Sequence, residues 1–281
     1  MNRRVVRRWI SQTMVVVMGV AVVVAVLPLL LILGTLVVKG AGSINLAFFT
    51  DTPVPAGETG GGVAHAVVGT LMIVGTAALI GLPVGISAGI FCAEYSATGL
   101  ARTTRFLADV MNGTPSIVVG VFAWTGIVAT QKHFSGLAGS VALAVLMVPM
   151  VMRTTEELIK LVPNSLREAA LALGYPRWRT SLGIVLRTAL PGILTGVLLA
   201  VARIAGETAP LLFTALGSQF MSTDLNGPMA ALPLVVYTYA TGPYEEWHRL
   251  AWATALVLII VVMVLSIAAR LATRQRFDRP S

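Results

Sequence analysis

Charged side chains are scarce in this chain: they make up 11 % of 281 residues, against 56 % hydrophobic residues and a mean hydropathy of +0.85. A soluble domain carries about 25 % charged residues. The shortfall excludes a water-solvated globule and places most of the chain in lipid. Cys92 is the one cysteine, which excludes an intrachain disulfide and a cysteine–histidine metal cluster. His65, His133 and His248 are scattered in loops and read as solvated surface residues. The dipeptide Gly-Lys is absent, so no G-x-x-x-x-G-K-[ST] loop is there to cradle a nucleotide phosphate. No nucleophile–base arrangement is visible. The chain is read as a non-enzyme, with no catalytic residue, no metal and no cofactor of its own.

What is abundant is long apolar runs. Crossing about 30 Å of hydrocarbon takes roughly 20 apolar residues in a helix. Six runs qualify, at about 14–38, 66–91, 111–130, 137–151, 191–216 and 251–270, the fourth extending toward Glu156. The first is too long for the roughly 7–15-residue core of a signal peptide and no A-x-A site follows it, so it is read as a retained span. The expected fold is an all-α bundle of about six transmembrane helices, one membrane domain over 1–281 with core helices at about 66–270. Gly69, Gly75, Gly81, Gly85 and Gly89 recur along the second run, small residues that let helix backbones approach in lipid.

The net charge is +8, from 20 basic and 12 acidic residues. No basic stripe interleaved with aromatics accompanies it, so nucleic acid is not expected as a partner. The charges sit between the apolar runs and orient them. With the N-terminus inside, the inner segments hold Arg3, Arg4, Arg7 and Arg8; Arg102 and Arg105; Arg153, Lys160, Arg167, Arg177, Arg179 and Arg187; and Arg270, Arg274, Arg276 and Arg279. The outer segments, 39–65, 131–136 and 217–250, hold Lys39, Lys132 and Arg249. This bias predicts a multi-pass inner-membrane protein of a bacterium with both termini cytoplasmic. Glu94 and Asp109 are read as solvated inner-surface charges without a role. Tyr237, Tyr239, Tyr244, Trp247 and Trp252 are read as an interfacial aromatic belt.

The inner loop at about 157–190 has a defined local structure. Ser165 and Glu168 have the spacing of a capping box, Leu166 to Leu173 are mostly good helix formers, Gly174 suits a C-cap and Pro176 stops the helix. A second short helix is expected from Arg177. A short helix with an alanine-rich face suits insertion into a partner's groove. In the fifth run, Arg203 lies twelve residues beyond Pro191, or roughly 18 Å along a helix axis. That is close to the middle of the hydrocarbon, where a charge costs at least about 2.5–3.5 kcal/mol. Glu207, four residues on, is expected on the same helix face to neutralise it. Gly206 and Pro210 mark a hinge, since Pro210 leaves the Gly206 carbonyl without its helical partner.

Glu168-Ala169-Ala170, three residues, Gly174, then nine residues to Ile184 and Leu186 resembles the EAA loop of the permease subunits of binding-protein-dependent ABC importers, the MetI-like family. The family often has proline directly after that leucine; here Arg187 follows and the nearest proline is Pro191. The segment Ala202–Thr214, which contains Arg203, Glu207 and Thr208, resembles the phosphate-importer permeases within that family. So do 66–70, 114–120 and 148–163. The resemblance implies the MetI-like fold and an EAA loop, with Glu168, Ala169, Ala170 and Gly174, that docks on a separate ATP-binding subunit. It further implies a second homologous permease, a cytoplasmic ATPase dimer that binds the ATP, and an extracytoplasmic phosphate-binding protein. In that setting Arg203 would favour the anion in transit, held by Glu207 between events, with Thr208 beside them. A permease for sulfate, molybdate or phosphonate is the near alternative, and a self-contained channel or secondary transporter the remote one.

Overall fold

A computed structural model describes residues 3–55, 58 and 60–277. Arg279 lies outside the described residues, as do the side chains of Arg4, Arg8, Arg274 and Arg276. The chain is helical, with no strand among the described residues beyond a single bridge from Leu216 to Met229. The helices are α1 Arg3–Gly40, α2 Leu46–Thr50, α3 Ala64–Glu94, α4 Gly99–Gly113, α5 Ser116–Ala123, α6 Gly136–Lys160, α7 Asn164–Ala172, α8 Leu186–Ala205, α9 Ala209–Thr214, α10 Leu232–Ala240 and α11 Glu245–Phe277. Five stretches are long and apolar enough to cross a membrane: Trp9–Ser43, Ala64–Glu94, Gly136–Lys160, Arg177–Ala205 and Glu245–Leu271. A sixth candidate is the pair α4 and α5, the latter continuing to Gln131, bent by 103°. The all-α bundle of about six spans is thus the observed architecture.

Several boundaries differ from the sequence expectation, each for a local reason. The third run does not form one straight helix from residue 111. Pro115 has no N–H and pushes Thr114 out of the helical region, to φ −75° and ψ 129°. The fourth span runs to Lys160 because its polar residues, Arg153 and Glu156, are paired within the protein. The fifth starts at Arg177, includes a π turn at Thr180–Val185, continues as regular helix through Pro191, and ends at Ala205. The presumed outer loop 217–250 contains the buried helix α10 and the start of α11.

The packing centres on α3 against α6. Gly81, Gly85 and Gly89, one turn apart on α3, face Ala144, Val148, Val151, Met152 and Thr155 of α6. A Cβ on Gly85 would lie 2.9 Å from the Val151 Cβ, and one on Gly89 would lie 2.6 Å from the Met152 carbonyl oxygen. Without a hydrophobic drive between helices in lipid, this approach is what lets dispersion contacts accumulate. Gly69 meets Ala230, whereas Gly75 faces open space. Around this seam Ile73, Leu143, Met147, Val151, Ile204 and Leu211 form the main core. Helix α1 stands apart: it meets α11 near its last turns, where Leu36 is buried and Gly40 lies under Trp252.

Two surface assignments are corrected. His65 is 2 % exposed, in the first turn of α3. Tyr239 is buried and stacks on Trp247 at 5.0 Å, so part of the aromatic set packs the protein rather than facing an interface. Tyr237 is exposed.

Replacing Gly85 by Leu should destabilise the bundle by about 1–3 kcal/mol, the range for overpacking, while Gly75→Leu should be near neutral. Thermal unfolding midpoints of the two variants in mild detergent check this.

Candidate functional site

Two helix breaks meet half-way along α6. One separates α4 from α5 at Thr114-Pro115; the other separates α8 from α9 at Gly206-Glu207-Thr208. Gly120 of α5 lets Pro210 of α9 come close, its absent Cβ lying 2.7 Å from the Pro210 Cα. Between the breaks is a cleft of about 220 Å³, lined by Asn112, Thr114, Ser116, Arg203, Glu207 and Met150 among others. Leu146 and Met150, also on its wall, are the middle of the 25-residue helix α6. Irregular backbone at membrane depth is tolerated where it lines a cavity, and this cleft is such a place.

Arg203 is in the last turn of α8 and exposed to the cleft; Glu207 is partly buried. The expected ion pair on one helix face is not formed. Among the described residues no ion pair within 4 Å joins them. The reason is local. Pro210 cannot donate to the Gly206 carbonyl, so the helix ends at Ala205 instead of kinking. Gly206 N–H turns back to the Arg203 carbonyl at 3.2 Å and Glu207 N–H to the Ile204 carbonyl at 3.1 Å. The guanidinium is favoured where it stands by the free carbonyls of the α8 C-terminus. Thr208 is the residue from which α9 starts, accepting the N–H groups of Leu211 and Leu212 through its carbonyl at 3.1 and 3.2 Å.

Asn112 and Ser116 also line the cleft; they were missed in the sequence. The signal was there: Asn112-Gly113-Thr114-Pro115 is a turn pattern inside an apolar run. Thr114 contributes less, its hydroxyl donating to the Val110 carbonyl at 2.8 Å.

At the α7 end of the bundle the structure places a different set. Helix α7 begins at Asn164 after Pro163, with no side-chain cap, so the Ser165–Glu168 box is not made. Pro163 fixes the entry instead. The exit is as expected: Gly174 has φ +83°, its N–H bonds to the Leu171 carbonyl at 3.0 Å and the Tyr175 N–H to the Ala170 carbonyl at 3.2 Å, a Schellman arrangement. Glu168, Ala169 and Gly174 are exposed, while Ala170 is buried. Leu166, Leu171, Leu173, Tyr175 and Trp178 are exposed too, Leu173 by 78 %. These apolar side chains, on α7 and the turn that follows it, form an exposed apolar patch. A short helix does open at Arg177, as expected, over Arg177–Arg179, and it runs on through the π turn Thr180–Val185 into the rest of the fifth span.

Glu94 and Asp109, assigned no role from sequence, are both paired. Glu94 Oε1 pairs with Arg167 of α7, and its Oε2 accepts from Ser181 at 2.8 Å. Arg167 also donates to the Ile159 carbonyl at 3.1 Å. Asp109 pairs with Arg153. Nearby, Glu156 is 1 % exposed and accepts from Arg105 at 2.6 Å, Lys160 at 2.5 Å and Arg153 at 3.3 Å. Arg105 goes on to the Cys92 carbonyl at 2.6 Å, binding α4, α6 and α3 together.

Against solved structures, the chain is similar to the inward-facing MetNI methionine ABC transporter, with a TM-score of 0.60 and 20 % identity over 76 % of this chain and 94 % of that one. That likeness defines the class of fold, a MetI-like ABC permease. Residues 85–277 match the family described as binding-protein-dependent transport system inner membrane component, and the chain belongs to this family. It is a multi-span membrane protein and a transporter component. Among curated proteins it is 52 % identical, over 86 % of this chain and 82 % of the relative, to the phosphate transport system permease protein PstA of Yersinia pestis. The protein of the same name from Pasteurella multocida is 48 % identical over 87 % of this chain and 88 % of its own length.

Removing the carboxylate by Glu156→Ala would leave Arg105, Arg153 and Lys160 facing one another without their shared partner. A loss of about 3–5 kcal/mol is expected for breaking such a buried pairing, read as a lowered unfolding midpoint or loss of folded protein in detergent.

Proposed function

We propose that this chain is a permease subunit of an ATP-driven importer for inorganic phosphate, and that the anion passes through the cleft between the two helix breaks. The observation that carries the reading is Arg203: a guanidinium without an ion-pair partner among the described residues, half-way along the bundle, in a chain about half identical to phosphate permeases. A guanidinium offers a planar fork of donors matched to phosphate oxygens and keeps its charge when desolvated. Asn112 and Ser116 can add neutral donors. Glu207 limits the net charge of the cleft, so the anion is favoured without being trapped, and it can accept the proton of a partly protonated phosphate. Gly206 and Pro210 bound the break at which α8 and α9 would change their angle.

The four-part assembly completes the proposal. A second homologous permease encloses the pathway, and an ATPase dimer engages α7 through Glu168, Ala169, Ala170 and the exposed leucines. A phosphate-binding protein delivers the ion on the opposite side. The arginine-rich α7 end then faces the cytoplasm, with both termini on that side. ATP is bound by the ATPase, and this chain holds no cofactor.

The test is Arg203→Gln in the complete importer. Uptake of radiolabelled phosphate should fall about tenfold or more, the loss of one charge-assisted hydrogen-bonding group, while the ATPase still co-purifies. Normal uptake would remove Arg203 from the pathway. Phosphate flux through the purified chain alone, without ATP, would overturn the importer reading itself, and competition by sulfate or molybdate equal to that by phosphate would overturn the substrate.

A further inference from the structure

The side chain that ties α7 to the membrane spans is Glu94, and its position is electrostatically odd. It is the last residue of α3, where the exposed carbonyls of the helix favour a cation and disfavour a carboxylate. Something other than the stability of α3 has to account for it. Its two carboxylate oxygens have separate partners: one meets Arg167 of α7, the other the hydroxyl of Ser181 in the π turn that leads into α8. Arg167 in turn reaches the Ile159 carbonyl in the last turn of α6. One node therefore touches the ends of α3, α6 and the fifth span together with α7. Among the described residues Arg167–Glu94 is the one side-chain ion pair that joins α7 to α3. The pair is largely withdrawn from solvent, Glu94 being 17 % and Arg167 22 % exposed, so it is held more firmly than a surface ion pair.

The three elements joined at this node lead to the cleft. Helix α6 forms its wall through Leu146 and Met150, α8 carries Arg203 in its last turn, and α3 packs on α6 along the glycine seam. A displacement of α7 that kept the Arg167–Glu94–Ser181 node intact would move these helices as one body. If the node opened, α7 would slip against them and its motion would be lost at the loop.

We infer that Glu94 is a positioning residue for energy coupling: it locks α7 to the ends of α3, α6 and α8 so that work done on α7 reaches the cleft. This rests on the reading of α7 as the ATPase-docking helix. It adds a specific residue, on a different span, that contacts neither nucleotide nor transported anion.

The experiment uses the complete importer in proteoliposomes and measures phosphate imported per ATP hydrolysed for Glu94→Gln, Arg167→Gln and the double variant. ATP hydrolysis should persist in all three, with the ratio lowered about fivefold or more in each single variant, the lower end of common coupling energies. The double variant should be no worse than either single one, because both break the same contact. An unchanged ratio, additive losses, or transport and hydrolysis falling in proportion would overturn the inference, the last being the mark of a merely structural pair. If Glu94→Gln does not assemble, Ser181→Ala removes one contact without altering charge; its ratio should also fall, and an unchanged ratio counts against the node. A cysteine crosslink from Leu173→Cys to the ATPase separates the two proposals. Its absence sinks the docking reading, whereas its presence together with an unchanged ratio in Glu94→Gln sinks only the role of Glu94.

Discussion

A helix that stops inside a membrane leaves amides and carbonyls that lipid cannot satisfy, and the rest of this architecture follows from where the chain allows that to happen. It stops twice beside the middle of α6, at Thr114-Pro115 and at Gly206-Glu207-Thr208, and the two stops are brought together. Each break makes the other tolerable, since together they enclose a polar cleft instead of facing hydrocarbon separately. Gly120 is what permits it, by letting the Pro210 backbone approach α5. Around the breaks the continuous helices α3 and α6 supply the rigid frame. Their seam is dense because Gly81, Gly85 and Gly89 remove the side chains that would hold the backbones apart.

Charge is divided in the same way. At the α7 end, among the described residues, the buried Glu156 pairs with three cations, the half-buried Glu94 with Arg167, and the exposed Asp109 with Arg153. These contacts stitch α3, α4, α6, α7 and the entry to α8. In the cleft, by contrast, Arg203 and Glu207 line the same space without joining. The proposed import cycle needs both conditions. A mechanical end has to transmit displacement without loss, and a pathway has to offer a charge that is available to a passing ion. Pairing strengthens the first and would defeat the second.

Much of the fold was legible from residue patterns alone. Long apolar runs, the glycine spacing of α3 and the helix stop at Gly174-Tyr175-Pro176 each have a local cause, and each appears where that cause acts. The Schellman exit at Gly174 needs only a residue that accepts positive φ and a proline two positions later. The errors came where a neighbouring proline or a partner distant in sequence overrides the local rule. Ser165 and Glu168 have the spacing of a capping box, yet Pro163 sets the start of α7 first. Arg153 and Glu156 looked like the end of a span, but Arg105 from another helix satisfies Glu156 and the span continues. Asp109 and Glu94 looked idle because their cations lie 44 and 73 residues away.

The amino-acid sequence by itself determined that this is a helical membrane protein, roughly where its spans lie, and that an arginine and a glutamate four residues apart belong to the fifth apolar run. Those properties depend on hydrophobicity summed over about 20 neighbouring residues, which is local information. Only the tertiary structure decided that Arg203 and Glu207 stand apart across a helix break, that Asn112 and Ser116 share their cleft, and that Glu94 holds α7 against three spans. Those facts depend on which breaks and charges meet in space, and in a bundle of helices that is set by the depth and rotation at which separate segments pack, quantities that no local stretch of chain contains.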